Sequence, residues 1–199
     1  MSNIPGAMSE SVDQCRKKLR SGDETGTNGG QQEEVENPIL LRRSGGVISP
    51  DFNCSAVFPE EQSCNTRRFQ LSAALRQLHS VILFFVGNDF TSPRVVSDLD
   101  LINSYAQQFQ AVRALPVVMT LPSLSAGLQQ YTCKVPILFD TTYSVSRYFN
   151  VLDSAAGNST KRAVFIIDRQ RQIQFSFIVE DDRISHSMMT ILTMAQSIP

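Results

Sequence analysis

The sequence is poor in the residues that most often carry metal or thiol chemistry. Its 199 residues include four cysteines, two histidines and no tryptophan. The cysteines are Cys15, Cys54, Cys64 and Cys133, and no two of them form a C-x-x-C pair. With so few histidines, short spacings give neither a zinc site nor a Cys/His catalytic pair. We therefore expect no metal and no cofactor.

Long apolar runs are also missing. No run approaches the roughly 20 residues of a transmembrane helix, and the first thirty residues hold no apolar core of a secretory signal. Glu10 and Asp13 argue against an acid-poor mitochondrial presequence. The formal net charge is -1, which gives no general affinity for nucleic acid or anionic membranes. We expect a cytoplasmic protein, with the nucleus as an alternative, whose thiols stay reduced.

Glycine is nearly confined to the N-terminal part of the chain. Seven of the ten glycines lie within residues 1–46, which also contain the polar stretch SGDETGTNGGQQEEVEN. Such a segment has too little apolar surface to offset its ordering entropy. We predict a disordered tail over 1–46, either inert or carrying a docking motif, and one folded domain over 47–199.

The pattern of this domain predicts an α/β fold. VILFFV at 81–86 reads as a strand buried on both faces, and apolar residues then recur at 95, 99, 102, 106 and 109, as on a helix. Pro93 suits the first turn of that helix, and Thr91 or Ser92 can cap it. ALPVVMT, VPILFD, KRAVFIID and QIQFSFIV are further strands, and weaker helices are expected around SAGLQQY and YSVSRYFNV. Strands that alternate with helices before a terminal hairpin and helix predict a central mixed β-sheet with helices on both faces.

Five segments, in order, resemble the typical two-cysteine peroxiredoxins (the AhpC/TSA group), which have a thioredoxin-like fold. They are SPDFNCSAVFP, FFVGNDFTSPR, VPILFDTTYSVSRYFNVL, KRAVFIIDRQRQIQ and VEDDRISHSMMTILTMAQS. The resemblance spans roughly residues 49 to 197. It implies a thioredoxin-dependent peroxidase, a homodimer and a redox role.

The resemblance also marks what this sequence has lost. Thr91 stands at the family threonine that contacts peroxide, and Arg162 at the arginine that stabilises the thiolate. Arg94 stands where the family has its peroxide-attacking cysteine, Gly87 where it has a proline, and Ser97 where it has the glutamate that orients the arginines. The sequence ends at Pro199, short of the family's resolving cysteine. A guanidinium is not a nucleophile, so we expect no peroxidase catalytic residue here.

Thr91, Arg94 and Arg162 are then the remnant of the family pocket. Two guanidiniums near a helix N-terminus can form an anion site. Alternatively, Arg94 points into solvent, Arg162 bonds local carbonyls and Thr91 only caps the helix. We interpret the protein as a peroxiredoxin-like pseudoenzyme that binds an unidentified protein partner as a scaffold or regulator. The alternatives are residual thiol peroxidase activity from Cys54, Cys64 or Cys133, and a holdase-like chaperone.

The strand QIQFSFIV predicts how two copies associate. Its alternation places Ile173, Phe175, Phe177 and Val179 on one face. In the resembled family this strand lies at the sheet edge and pairs with its twin. It carries no lysine or proline to block such pairing, and no bulge is evident. We therefore predict a symmetric homodimer through residues 173–179.

Overall fold

A computed structural model describes residues 42–43, 46–59, 66–87, 89–121, 133–153, 159–179 and 184–199. The chain divides into two units, Met1–Val35 and Glu36–Pro199, and every described residue belongs to the second. Residues 1–41 of the predicted tail and the weak helix around SAGLQQY lie outside the described residues. The structure therefore bears on the predicted domain from its first strand onward.

Ten strands and four helices make up the described part of the chain. The strands are β1 (Arg42–Arg43), β2 (Asn53–Val57), β3 (Arg67–Gln70), β4 (Ser80–Phe85), β5 (Ala114–Thr120), β6 (Ile137–Phe139), β7 (Leu152–Asp153), β8 (Ser159–Thr160), β9 (Ala163–Asp168) and β10 (Ile173–Ile178). The helices are α1 (Leu71–Leu75), α2 (Pro93–Ala111), α3 (Ser144–Tyr148) and α4 (Ile184–Gln196). None of these helices is both long enough and apolar enough to span a bilayer.

Eight of the strands form one mixed sheet in the order β1-β10-β9-β4-β5-β6-β2-β3. β4, β5 and β6 run parallel, while the other neighbours in the sheet pair antiparallel. The remaining two strands, β7 and β8, pair separately. The predicted α/β fold with a central mixed sheet is confirmed.

Two apolar layers cover the faces of β4, which explains its unbroken apolar sequence. Ile82 and Phe84 face the layer that contains α2 and α4, whereas Leu83 and Phe85 face the layer that contains α1 and α3. All six residues of β4 are buried. Full burial of a large apolar side chain contributes on the order of 2 kcal/mol, so this strand anchors the domain.

Helix α2 packs through the apolar spacing that the sequence shows. Val95, Leu99, Ile102 and Phe109 are buried in the layer shared with α4, and Ala106 packs against it. Pro93 occupies the first turn, as predicted. The helix begins where β4 ends, so its first turn lies at the C-terminal edge of the parallel strands.

The edge of the sheet differs from the prediction. β1 pairs with β10, with Arg42 opposite Ser176 and Arg43 opposite Phe175. Further along, Ile48 bridges Gln172, and the Ile173 amide donates to the Val47 carbonyl at 2.8 Å. Residues from the start of this same chain thus cover much of β10, and the sheet begins before the predicted boundary at residue 46. Part of the edge that was predicted to pair with a second copy is therefore covered within the chain, and the homodimer through residues 173–179 stays a prediction.

A β-bulge also changes which way the strand faces. The register between β9 and β10 shifts between Ile173 and Phe175. Phe177 and Val179 are buried in the layer of α2 and α4, and Phe175 packs against it, but Ile173 is buried in the opposite layer. One extra residue reverses the alternation. The predicted common face is therefore right for Phe175, Phe177 and Val179 and wrong for Ile173.

Candidate functional site

The loop from β4 to α2 starts with a backbone conformation that proline cannot adopt. Gly87 has φ +104°, in the region that favours glycine. A Cβ added there would meet the Val95 side chain at 3.5 Å, an ordinary contact, so conformation rather than space sets the requirement. Proline fixes φ near -65°. The loop thus follows a path at this residue that a proline in the same position would exclude.

Thr91 uses its hydroxyl locally. The hydroxyl donates to Asp89 Oδ1 at 2.6 Å, and the Thr91 amide donates to the same oxygen at 2.9 Å. These bonds lower the pKa of the Asp89 carboxyl, with the hydroxyl bond as the largest cause. Ser92 is the N-cap residue of α2, but its side chain makes no capping hydrogen bond. The predicted capping by a Thr91 or Ser92 side chain is therefore wrong, since the Thr91 hydroxyl serves an Asp-centred turn.

Arg94 is exposed at the start of α2. Asp98 lies one helical turn further along, on the same side of the helix. Unlike Arg94, Asp98 is only 4% exposed, because it belongs to the face that carries Val95 and Leu99 into the core. A carboxylate this deeply buried requires a partner of opposite charge or several hydrogen bonds.

Arg162 supplies that partner. Its Nε donates to Asp98 Oδ2 at 2.8 Å and its Nη2 donates to Asp98 Oδ1 at 2.6 Å, which is a bidentate pair. The Arg162 side chain is itself only 8% exposed. The Val179 amide donates to the Arg162 carbonyl at 2.9 Å and fixes its backbone beside β10. Buried, charge-assisted pairs of this geometry are among the strongest polar contacts in proteins.

The two arginines of the predicted pocket therefore differ in character. Arg162 is neutralised by Asp98, whereas Arg94 is exposed one turn away. Neither alternative included the carboxylate partner that the structure gives Arg162. Sequence reasoning missed Asp98, although a signal was present: it is an acid on the apolar face of α2, three residues after Val95. The anion site itself stays a prediction, now with one of its two charges compensated.

The described thiols are poor nucleophiles at neutral pH. Burial raises the pKa of Cys54 to about 12, with a further contribution from the charge of Asp140. Burial likewise raises the pKa of Cys133 to about 11. Only the thiolate attacks an electrophile, so both groups are almost entirely protonated in water. Cys15 and Cys64 lie outside the described residues.

We compared the chain with protein families, curated proteins and solved structures. Residues 46–176 match the profile of the AhpC/TSA family. None of the curated proteins matches the chain.

Solved structures match the fold at low sequence identity. The reduced 2-Cys peroxiredoxin of Plasmodium vivax has a TM-score of 0.63 at 21% identity, covering 77% of this chain and 80% of its own. Peroxidoxin BcpB of Mycobacterium tuberculosis has a TM-score of 0.62 at 22% identity, covering 79% and 99%. AhpC of Enterococcus faecalis has a TM-score of 0.60 at 23% identity, covering 75% and 90%. With the family profile spanning most of the chain, this protein belongs to the AhpC/TSA family.

Proposed function

We propose that this AhpC/TSA protein does not reduce peroxides and acts instead as a binding module, working as a scaffold or regulator of a protein partner. The observation that carries the proposal is the Asp98–Arg162 pair. In the resembled peroxiredoxins the equivalent arginine stabilises a thiolate. Here its guanidinium is bonded to an internal carboxylate, beside a residue, Arg94, that cannot attack oxygen.

The thiols support the same conclusion. Peroxide reduction requires a thiolate that becomes a sulfenic acid. With a pKa of about 12 for Cys54 and about 11 for Cys133, the thiolate fraction at neutral pH is on the order of one in ten thousand or less. Gly87 supports it as well, because its φ of +104° departs from the backbone that a proline would impose.

A peroxidase assay tests the proposal directly. Hydrogen peroxide consumption with thioredoxin or dithiothreitol as reductant should not exceed the rate of reductant alone. Arg94→Cys should recover little activity, since Asp98 still holds Arg162 and the loop still turns at Gly87. Turnover by the wild-type protein that vanishes in Cys54→Ser or Cys133→Ser would contradict the proposal and favour the thiol enzyme.

We further propose that the protein is a homodimer, with a smaller contact than the sequence suggested. Beyond Ser176, no described residue pairs with the outer edge of β10, which there consists of Phe177 and Ile178. Ile178 is 40% exposed there, whereas Phe177 is 1% exposed and part of the core. β1 is an outer strand of only two residues, and a very short edge strand discourages further pairing.

Ile178 is therefore the residue on which to test the dimer. Ile178→Lys places a charge on the exposed face and leaves the core intact, so it should convert a sedimenting dimer to monomer without loss of folding. Phe177→Lys is unsuitable because it would unfold the domain. Gln170→Lys, at an exposed position in the β9–β10 turn, is the charge-matched control and should remain dimeric. A wild-type protein that sediments as a monomer at tens of micromolar would contradict the homodimer.

A further inference from the structure

A second polar site lies at the end of the sheet opposite Arg162. In the pairing of β4 with β9, Phe85 lies opposite Ala163, next to Arg162, while Ser80 lies opposite Asp168 at the other end. A pocket of about 420 Å³ opens beside this far end. Its lining consists of Ser72, Leu75, Arg76, Arg169, Gln170 and Arg171. Three of the six are arginines, and none of the six is acidic.

The β9–β10 turn that carries two of these arginines is rigidly held. Buried Asp168 accepts hydrogen bonds from the amides of Gln170 at 2.9 Å and Gln172 at 2.8 Å, and from the Gln174 side chain at 2.6 Å. The Arg171 amide closes the turn on the Asp168 carbonyl at 2.9 Å. On the outside, the Ser49 amide donates to the Arg171 carbonyl at 2.7 Å. A turn fixed at so many points holds its backbone in a set conformation, so the positions from which the Arg169 and Arg171 side chains extend are defined.

The guanidiniums are available to a ligand. Arg169 donates through Nε to the Leu78 carbonyl at 2.9 Å, a bond that orients the group and leaves its two terminal nitrogens for other acceptors. Arg76 caps the C-terminus of α1 through its backbone. Within the described residues, neither Arg76 nor Arg171 donates a side-chain hydrogen bond. Three such cations around one pocket repel one another, and a bound anion removes that repulsion.

Besides buried Asp168, which precedes Arg169 in the chain, Asp51 is an acidic group that interacts with this set, through the charge of Arg171. Its carboxylate accepts from the Ser72 amide at 2.9 Å, the Ser72 hydroxyl at 2.8 Å and the Gln70 side chain at 3.0 Å. Burial alone would raise its pKa, but these bonds and the charge of Arg171 lower it. Asp51 thus offsets part of one positive charge and does not line the pocket. The pocket stays cationic.

Arg171 has a backbone that its side chain does not favour. Its φ is +61°, in the left-handed region that glycine and asparagine occupy with little strain. A glycine or asparagine would close the same turn without the strain. Where a strained residue persists in a rigid turn and contributes a charge to a pocket, strain points to function.

We propose that this pocket binds the phosphate group of a small phosphorylated ligand through Arg76, Arg169 and Arg171. Guanidinium groups match phosphate oxygens in bidentate geometry, and three of them suit a group with more than one negative charge. A small ligand fits better than a nucleic acid, because the chain has a net charge of -1 and offers three cations rather than an extended basic surface. The site is independent of whether peroxidase activity is lost.

Calorimetric titration of the full chain with inorganic pyrophosphate and with ATP tests the site, and a short RNA serves as the macromolecular competitor. Pyrophosphate and ATP should bind, with an affinity that falls as salt rises. Arg171→Asn suits the left-handed backbone and removes the guanidinium, so the melting temperature should not fall, while the affinity falls about tenfold or more. Arg76→Gln and Arg169→Gln should each weaken binding to a similar extent. If ATP binds and pyrophosphate does not, the recognised group is the nucleoside rather than the phosphate, and the proposal fails.

Arg113→Asn is the matched control. Arg113 also has a left-handed backbone, with φ +56°, and is an exposed arginine, whereas Arg171 is half-buried; Arg113 does not line the pocket. Its affinity for both probes should stay within about twofold of wild type. The proposal is overturned if neither probe binds at millimolar concentration or if Arg171→Asn binds as the wild type does. RNA binding that is tighter than that of ATP and lost in Arg171→Asn would assign the pocket to a nucleic acid instead.

Discussion

The two ends of the central sheet hold arginines in opposite states. At one end, Arg162 is 8% exposed and bonded through two nitrogens to Asp98. At the other, roughly 20 Å away along six-residue strands, Arg169 and Arg171 lie on a turn beside Arg76 with no acid in the pocket lining. Because the Arg162 guanidinium is buried, it requires an internal partner of opposite charge, which Asp98 provides. Arg76 and Arg169 are exposed and Arg171 is half-buried, so the charge at the Arg162 end is compensated internally while the charges at the opposite end remain accessible.

The largest expected change in stability comes from breaking the Asp98–Arg162 pair. Asp98→Asn keeps the shape of the side chain but removes the carboxylate charge that is paired with buried Arg162, and it should reduce the free energy of unfolding by about 3–5 kcal/mol. Urea denaturation monitored by circular dichroism measures it. Asp100→Asn, at an exposed position on the same helix, is the control and should cost no more than about 1 kcal/mol. Equal losses in the two variants would mean that the pair is not sealed from water.

A double variant sharpens the same point. Asp98→Leu combined with Arg162→Met removes both charges together and fills the space with apolar groups. Because the cost of a broken buried pair is mostly that of the abandoned charge, the double variant should be more stable than Asp98→Asn. A double variant less stable than the single one would show that the pair contributes net stability of its own.

The second largest change in stability is a pH dependence that comes from Cys54, whose buried thiol stays neutral instead of being paired. An unfolded thiol has a pKa near 9.0, whereas in the folded protein that of Cys54 is about 12. Below pH 9 both states are protonated and stability is unaffected. As the pH rises above 9, the unfolded state releases its proton first, so the folded state loses about 1.4 kcal/mol by pH 10 from this thiol. Cys133 should act in the same direction through its pKa of about 11.

Comparing slopes isolates this contribution. The free energy of unfolding of the wild type and of Cys54→Ala should be measured between pH 8 and about pH 10.5. The variant leaves a small cavity and starts less stable, but its stability should fall less steeply with pH. Parallel curves would show that Cys54 ionises equally easily in both states, contrary to its 7% exposure.

How much of this could be predicted from the sequence depends on whether the signal is local. β4 and α2 could be predicted, because a continuous apolar run and a helical spacing are patterns within one segment. The pairing of Arg42 and Arg43 with β10 joins residues more than a hundred positions apart, and two residues carry no strand signal of their own. The bulge near Gln174 adds one residue to an otherwise regular alternation, so the pattern reads equally well without it.

The candidate sites follow the same rule. The family resemblance located Thr91, Arg94 and Arg162, but a motif does not say which partner each side chain takes. Asp98 stands one position after the residue that matches the family glutamate, and only burial shows that it takes Arg162 as its partner. The cluster of Arg76 with the β9–β10 turn was invisible for another reason. Its members come from two segments nearly a hundred residues apart, and RQRQ alone reads as a solvated turn.

The smallest expected change in stability concerns the pocket of Arg76, Arg169 and Arg171, and here the substitution is not expected to destabilise the protein. Arg171→Asn should leave the free energy of unfolding unchanged or raise it by up to about 1 kcal/mol. Asparagine relieves the left-handed strain at φ +61°, and removing one of three neighbouring cations relieves repulsion. The repulsive part should shrink in high salt, since exposed charges are screened beyond about 10 Å at 0.1 M, while the backbone part should persist. Arg113→Asn, at φ +56°, shares the backbone part but gives up a hydrogen bond to the Gln77 carbonyl, so it should gain less. A loss of stability in Arg171→Asn would mean that this arginine holds the turn together. The arginines at both ends of the sheet would then have a structural role and would differ only in exposure.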